Sequence, residues 1–546
     1  MKVMTWIASE LEFRSTKKYN NSFEDVDVDV VFTLGREKMT VPCFWDGGDT
    51  WKVRFSLPKV GTWKYEVIST DKENTGFSGQ GEIECVKYDG DLEIYKRGFI
   101  KTKPNVRYFM YADGTPFYYL GDTHWGMSKE EFDEPGYRAG DIECKSHFKY
   151  IVDKRVEQGF TVYQSEPIGV KYTLTETLTE QDVEGFKELD KYFKYIAEKG
   201  LVHSNAQILF PYAFMEMKRW NEENFLMRLA RYWVARYSAY PCLWTLAQEV
   251  DNDFYAFRGD QRKFQIEDNP FKILAAGLYK YDPHKHPLSA HMESYATSPE
   301  LCGDHDATSP ATSAFREVEG HTWWAIQWNR LLNAPIKYAF GQENWLNGQG
   351  KVGILYESRY EYLYTKNFGA RSQAWVAFLN GLYGYGYGAQ DMWLYDSHFT
   401  GNSATPDGID TVTVEDKKIH WSETIKFQTP NQLNYMRQFF EKLEWWKLIP
   451  RFDSPAYFVS DGENYHAIAT DERNTIVIYF CNYGYQNGYK TGTLMNLDNC
   501  QYTYQWFNPR TNKYSEKRTF YPDAHRIYHV EQKPEHLDMV LLVQKA

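Results

Sequence analysis

The chain has 546 residues, too many for one hydrophobic core, so two to four domains are expected. Its formal net charge of −12 excludes the basic surface that nucleic acid or an anionic membrane requires of a partner. A hydrophobic content of 42% excludes a disordered chain, and the 17% aromatic content suits a protein that packs rings against sugar faces, although a large barrel with β-domains would raise it too.

Residues 1–92 alternate with period two, as in Val26-Asp27-Val28-Asp29-Val30 and Lys52-Val53-Arg54-Phe55, with turns such as Asp46-Gly47-Gly48-Asp49 between the runs. This predicts an N-terminal Ig-like β-sandwich. Ser9, Glu10 and Glu12 interrupt any signal-peptide core, and no stretch approaches transmembrane length. Cys43, Cys85, Cys144, Cys242, Cys302, Cys481 and Cys500 are odd in number and scattered, which predicts reduced thiols and a cytoplasmic protein. A secreted form that has lost a leader stays open.

Between 93 and 450, short apolar runs alternate with amphipathic helical stretches, the rhythm of an α/β fold. Strands are expected at Phe117–Leu120, Phe160–Tyr163, Leu201–His203, Leu243–Leu246, Pro287–Ala290, Ile336–Ala339 and Leu382–Tyr385, with a weak one near Leu301-Cys302-Gly303. Helices are expected at 184–199, 222–238 and 268–281. The pattern predicts a (β/α)8 TIM barrel. Period two returns over 451–546, in Thr475–Phe480 and Met539–Val543, predicting a C-terminal β-sandwich.

Barrel active sites lie at the C-terminal ends of the strands. There the sequence offers Asp122 and His124, Gln164 and Glu166, Asn205, Gln248 and Glu249, His291 and Glu293, Asp304 and His305, and Gln342 and Glu343. Such a ring of acids, amides and imidazoles suits sugar hydroxyls, which donate and accept together. Glycosidic cleavage needs two carboxyl groups, ~5–5.5 Å apart in retaining enzymes. Ala247-Gln248-Glu249 and Gly341-Gln342-Glu343 each end an apolar run with an amide and an acid, on strands read as fourth and seventh. Glu249 is read as the general acid/base and Glu343 as the nucleophile. Asp122, His124, Trp125, Gln164, Glu166, Asn205, Gln248, His291, Trp345, Tyr387 and Trp393 are read as substrate-binding, against the plainer reading that each only packs or closes a strand end. Asp282, His284, His286, His291, Asp304, His305 and Asp306 have metal-ligand types without metal-site spacing, so neither metal nor cofactor is expected.

Phe117–Trp125, with its Leu-Gly-Asp-Thr-His-Trp run, resembles the first strand of the apiosidase-like glycoside hydrolases, family 140 and its relatives. Tyr150–Arg155 with Gly159–Gln164, and Gly381–Gly388 continuing to Trp393, resemble the second and eighth strand regions of that family. Residues 43–55 and Trp506–Thr511 are similar to its outer β-domains. The resemblance implies a retaining, exo-acting hydrolase that removes a terminal furanosidic sugar, apiose- or arabinose-like, through a covalent glycosyl-enzyme. The chain departs from its relatives where Ala247-Gln248-Glu249 replaces a Gly-Gly-Asp motif and where Gln342-Glu343-Asn344-Trp345 replaces Asn-Gly-Glu-Pro. The alternatives are a retaining glycosidase or transglycosidase on another plant or microbial glycan, and a non-catalytic carbohydrate-binding protein. The expected partner is an oligosaccharide or glycoside.

Overall fold

A computed structural model describes residues 1–127, 132–133, 137–139, 142–144, 146–167, 176–206, 218–247, 250, 269–292, 310, 313–327, 339–358, 360–361, 367–389, 392, 421–480 and 489–546. The N-terminal alternation folds into two facing sheets. β1 (Lys2–Met4), β3 (Val28–Leu34), β4 (Glu37–Pro42), β7 (Gly61–Ser69) and β8 (Gln80–Val86) pair in the order β1-β8-β7-β3-β4. β2 (Ser9–Arg14), β5 (Phe44–Trp45) and β6 (Thr50–Phe55) pair as β2-β6-β5. Along β7, Trp63 and Val67 are buried while Lys64 and Glu66 are exposed, and the Phe32 and Phe55 rings meet between the sheets at 4.6 Å.

This unit is fastened to the central one by charge. Arg54 on β6 donates to Asp190 at 2.8 Å, on the helix Glu180–Glu198, and to the carbonyl of Arg236 at 2.5 Å. Arg236, on the helix Glu223–Tyr237, donates to Asp190 at 2.6 Å and to Asp46 at 3.1 Å. Burial opposes the charge on Asp190, but the two guanidiniums prevail and hold its carboxyl down to about 2.

The central unit is built on β9 (Tyr119–His124), β12 (Val162–Ser165), β13 (Val202–Asn205), β14 (Cys242–Trp244), β15 (Trp323–Gln327), β16 (Val352–Glu357) and β17 (Gly384–Tyr387); a hairpin of β10 (Tyr137–Ala139) and β11 (Ile142–Cys144) stands apart. The seven pair in parallel in the order β14-β13-β12-β9-β17-β16-β15. Helices between them lie at His147–Glu157, Glu180–Glu198, Glu223–Tyr237, Phe271–Tyr281, Ala339–Asn347 and Asn367–Leu379. Thr179 opens the second of these with a reciprocal capping box to Asp182, and Val183, Phe186, Leu189, Phe193 and Ile196 form its buried stripe.

The sheet is curled. Tyr356 on β16 reaches Thr245, just past β14, with Oη 3.4 Å from Oγ1, although the two strands stand far apart in the pairing order. Leu288 bridges in parallel to both Trp244 and His321, and His291 bridges to Ala325, so the segment expected as a fifth strand lies between the two edges. Tyr119, Val162, Val202, Leu243, Trp323, Ala325, Val352 and Ile354 pack within the concavity.

Two strands differ from the sequence reading. Ala339 opens a helix rather than ending a strand, and β15 and β16 follow later than expected. A short buried apolar run looks the same in sequence whether it is helix or strand, and Tyr338-Ala339-Phe340 was open to both. Residues 336–338 and the weak strand at Leu301–Gly303 lie outside the described residues.

At the C-terminal end, a seven-stranded antiparallel sheet that includes Thr475–Phe480, Met539–Lys545 and Tyr502–Asn508 packs on a three-stranded one. Arg371, on the helix Asn367–Leu379, makes a bidentate pair with Asp538 at 2.9 Å for each bond, and Tyr479 and Arg510 also donate to Asp538. Among the described residues, no helix is long and apolar enough to cross a membrane.

Candidate active site

Strand alternation sorts the candidate residues into two sets. On β9, Tyr119 and Thr123 take the concave face, while Asp122 and His124 face the helices. Asp122 Oδ2 accepts from Arg155 Nε at 2.7 Å, on the helix His147–Glu157, and lies 2.5 Å from His124 Nε2. Burial alone would raise the Asp122 pKa, but Arg155 and His124 bring it below the usual carboxylate range. His124 stacks on Tyr163 with ring centroids 4.6 Å apart. Asn205 Oδ1 accepts from Trp233 Nε1 at 3.2 Å, again on a helix, and Tyr387 donates to the buried Glu361 at 2.5 Å. Among the described residues, Asp122 and Asn205 bond helix side chains, His124 bonds Asp122 and Tyr387 bonds Glu361, so all four are engaged inside the protein on the helix side of the strands, away from the sugar contacts expected of them.

Gln164 does face inward, but its amide is spent. Its Oε1 accepts from Tyr119 Oη at 2.8 Å, and its Nε2 donates to Thr123 Oγ1 at 3.2 Å and to the Tyr356 carbonyl at 2.9 Å. Gly121 and Gly386 flank this amide, and a Cβ at either would come within 2.5 Å of Gln164 Oε1. Gln164 is thus the floor of the concavity, not a sugar ligand.

Above the floor, the C-terminal strand ends bring together Trp125, Glu166, His291, Tyr356, Glu357 and Tyr360, all buried. Glu357 ends β16. Its Oε2 is 3.1 Å from His291 Nε2, and its Oε1 accepts from Tyr360 Oη. Tyr360 Oη in turn accepts from Trp125 Nε1 at 2.7 Å. The His291 ring lies 5.7 Å from Trp125 and 5.0 Å from Tyr356. Burial pushes the Tyr356 phenol well up; hydrogen bonding with Thr245 and Ser204 acts against this, and the charges of Glu166 and Glu357 add to it. At the edge near β14, Leu246 has φ 62°, a left-handed backbone that side-chain-bearing residues adopt rarely and that clusters at functional sites.

Glu343 sits within the helix Ala339–Asn347, not at a strand end. Its neighbour Asn344 lies against Gly353 near the start of β16, and Trp345 lies against Gly381 ahead of β17, with Arg107 4.1 Å over its ring. These are contacts at the opposite end of the sheet from Glu357, so Trp345 is no sugar platform. Gln248, Glu249, Glu293, Asp304, His305, Asp306 and Trp393 lie outside the described residues. Asp282 holds His286 Nδ1 and Trp244 Nε1, each at 2.9 Å, and His284 bonds Ser56 across to the N-terminal unit, so these three are spent on packing. Among the described residues, no three His, Cys, Asp or Glu side chains gather as metal ligands.

Glu357 and Tyr360 were missed in the sequence. For Glu357 the signal is present: Val352-Gly353-Ile354-Leu355-Tyr356-Glu357 is an apolar run ended by an acid, the same signature that singles out Glu249, whereas Tyr360 lies beyond it.

A curled parallel sheet with buried carboxylates at its C-terminal end is the framework of a glycoside hydrolase catalytic domain. Solved structures share this fold. A Bacteroides vulgatus ATCC 8482 protein assigned to the glycoside hydrolases matches at TM-score 0.65 and 16% identity, covering 100% of both chains. A family 5 glycoside hydrolase from the same organism matches at TM-score 0.59 and 15% identity, over 83% of this chain and 94% of that one. Residues 103–447 match the family model "Apiosidase-like, catalytic domain", and residues 2–70 match a domain of unknown function, DUF5060. The chain belongs to the apiosidase-like family. No curated protein matches the sequence.

Proposed function

We propose that the protein is a retaining, exo-acting glycoside hydrolase that releases a terminal furanosidic sugar, apiose- or arabinose-like, and that Glu357 is its nucleophile. The supporting observation is the placement of Glu357 at the end of β16, buried, with Tyr360 donating to Oε1 and His291 Nε2 standing 3.1 Å from Oε2. A nucleophilic carboxylate attacks through one oxygen, and a fixed donor on the other holds the group in place for that attack. Glu343, read as the nucleophile in the sequence, yields the role to Glu357 because its helix neighbours pack at the other end of the sheet. Glu249, just beyond the left-handed turn at Leu246, is the proposed general acid/base, and Glu166, Trp125 and His291 are the proposed contacts to the sugar. The bridges through Leu288 and His291 support a closed (β/α)8 barrel, with outer units dividing near 1–92, 93–450 and 451–546. Five free thiols among the described cysteines suit a reducing, cytoplasmic setting.

The mechanism then runs in two steps. Glu249 protonates the leaving oxygen as Glu357 attacks the anomeric carbon; water, activated by the same Glu249, then breaks the glycosyl-enzyme bond with retention. A panel of 4-nitrophenyl glycosides tests the reading. Glu357→Gln is expected to lose activity on the order of 10³-fold or more, and Glu357→Gly to recover turnover with azide and yield the inverted glycosyl azide. Glu343→Gln is expected to stay near wild type. Full activity in Glu357→Gln removes the assignment.

A further inference from the structure

We infer that Tyr360 is a positioning residue for Glu357, with its hydroxyl proton aimed at the carboxylate by the Trp125 indole. The inference rests on the reading of Glu357 as nucleophile. An indole N–H can only donate. With Trp125 Nε1 2.7 Å from Tyr360 Oη, the phenol oxygen must accept there, which leaves its single proton for Glu357 Oε1. Trp125 is 1% exposed and Tyr360 2%, so bulk water does not compete for either bond.

The relay joins the end of β9 to the loop after β16. It gives Glu357 a donor whose direction is fixed before any substrate arrives, the kind of preorganisation that costs nothing during reaction. Among the described residues, the groups beside Glu357 are Tyr360 on Oε1, His291 near Oε2 and the Tyr356 ring against His291. A tyrosine that only filled space would not influence when Glu357 ionises.

Tyr360→Phe and Trp125→Phe in the full chain separate the two roles. Turnover is read on the 4-nitrophenyl glycoside that the wild type cleaves fastest. Infrared difference titration against Glu357→Gln follows the same carboxylate without turnover. Tyr360→Phe is expected to lower kcat roughly 10- to 100-fold, with KM within about twofold. It should also move both the acidic limb of kcat/KM and the Glu357 band up by about one pH unit. Trp125→Phe should shift both in the same direction by less, and it carries the test should Tyr360→Phe not fold. A lowered kcat with an unmoved limb and band overturns the relay. Wild-type turnover by Glu357→Gln would instead overturn the nucleophile reading, which the infrared titration of Tyr360→Phe keeps distinct from the relay.

Discussion

His291 Nε2 stands 3.1 Å from Glu357 Oε2, joining the segment that lies between the sheet edges to the end of β16. Both side chains are buried, so the contact is exchanged for nothing in solvent when it is lost. His291→Ala should reduce kcat/KM by about 10-fold, because it removes the ring that packs beside Trp125, Tyr356 and the Glu357 carboxylate. Steady-state kinetics on an aryl glycoside checks this; an unchanged kcat/KM would remove His291 from the site.

Asp122 leads to the opposite expectation. It pairs with Arg155 and His124 on the helix side of β9, so Asp122→Asn should cost stability, about 3–5 kcal/mol for a broken buried pair, while KM for the sugar stays put. Its pKa is depressed on folding, so its contribution is present above the unfolded carboxylate value of about 3.9 and fades as pH falls below it. Thermal melts between pH 3 and 7 read the difference: wild type should lose its advantage over Asp122→Asn at the acid end.

The N-terminal unit should also respond to acid. Asp190 is held down to about 2 by Arg54 and Arg236, so the clamp is intact above about pH 4 and weakens toward pH 2. Asp190→Asn should reproduce that weakening at neutral pH. Limited proteolysis would show it as faster release of a fragment near residue 90; equal cleavage rates in both proteins at pH 7 would count against the clamp.

At the other end, Asp538→Ala leaves the Arg371 guanidinium buried without its bidentate partner. We expect a loss of about 3–5 kcal/mol and an earlier separate unfolding step for the C-terminal unit in calorimetry. A single transition at the wild-type temperature would contradict this.

Much of the architecture was legible in residues. The helices at Glu180–Glu198, Glu223–Tyr237 and Phe271–Tyr281 fall within a few positions of the apolar stripes that predicted them, and β9, β12, β13 and β14 overlap their predicted runs. The site was less legible, for two physical reasons. β9 continues to His124, so Asp122 and His124 lie inside the strand rather than after it, and parity turns them toward the helices. The Tyr338–Phe340 run and the true β16 share an apolar-then-acid pattern, and only the pairing of β16 with β15 and β17 decides between them. The pairing partner of a buried strand is a property of the whole sheet, which no local window contains.

The Gln164 strut has a consequence for traffic. Its amide, the Tyr119 ring and the apolar layer of Val162, Val202, Leu243, Val352 and Ile354 beneath close the lower end of the concavity. In the proposed mechanism, a glycosyl-enzyme on Glu357 would not be reached through this lower end but from the side through which the leaving group departs. Under that mechanism water would follow the departing alcohol along the same path, so a bulky alcohol that lingers there would delay its own replacement and compete as an acceptor for the sugar.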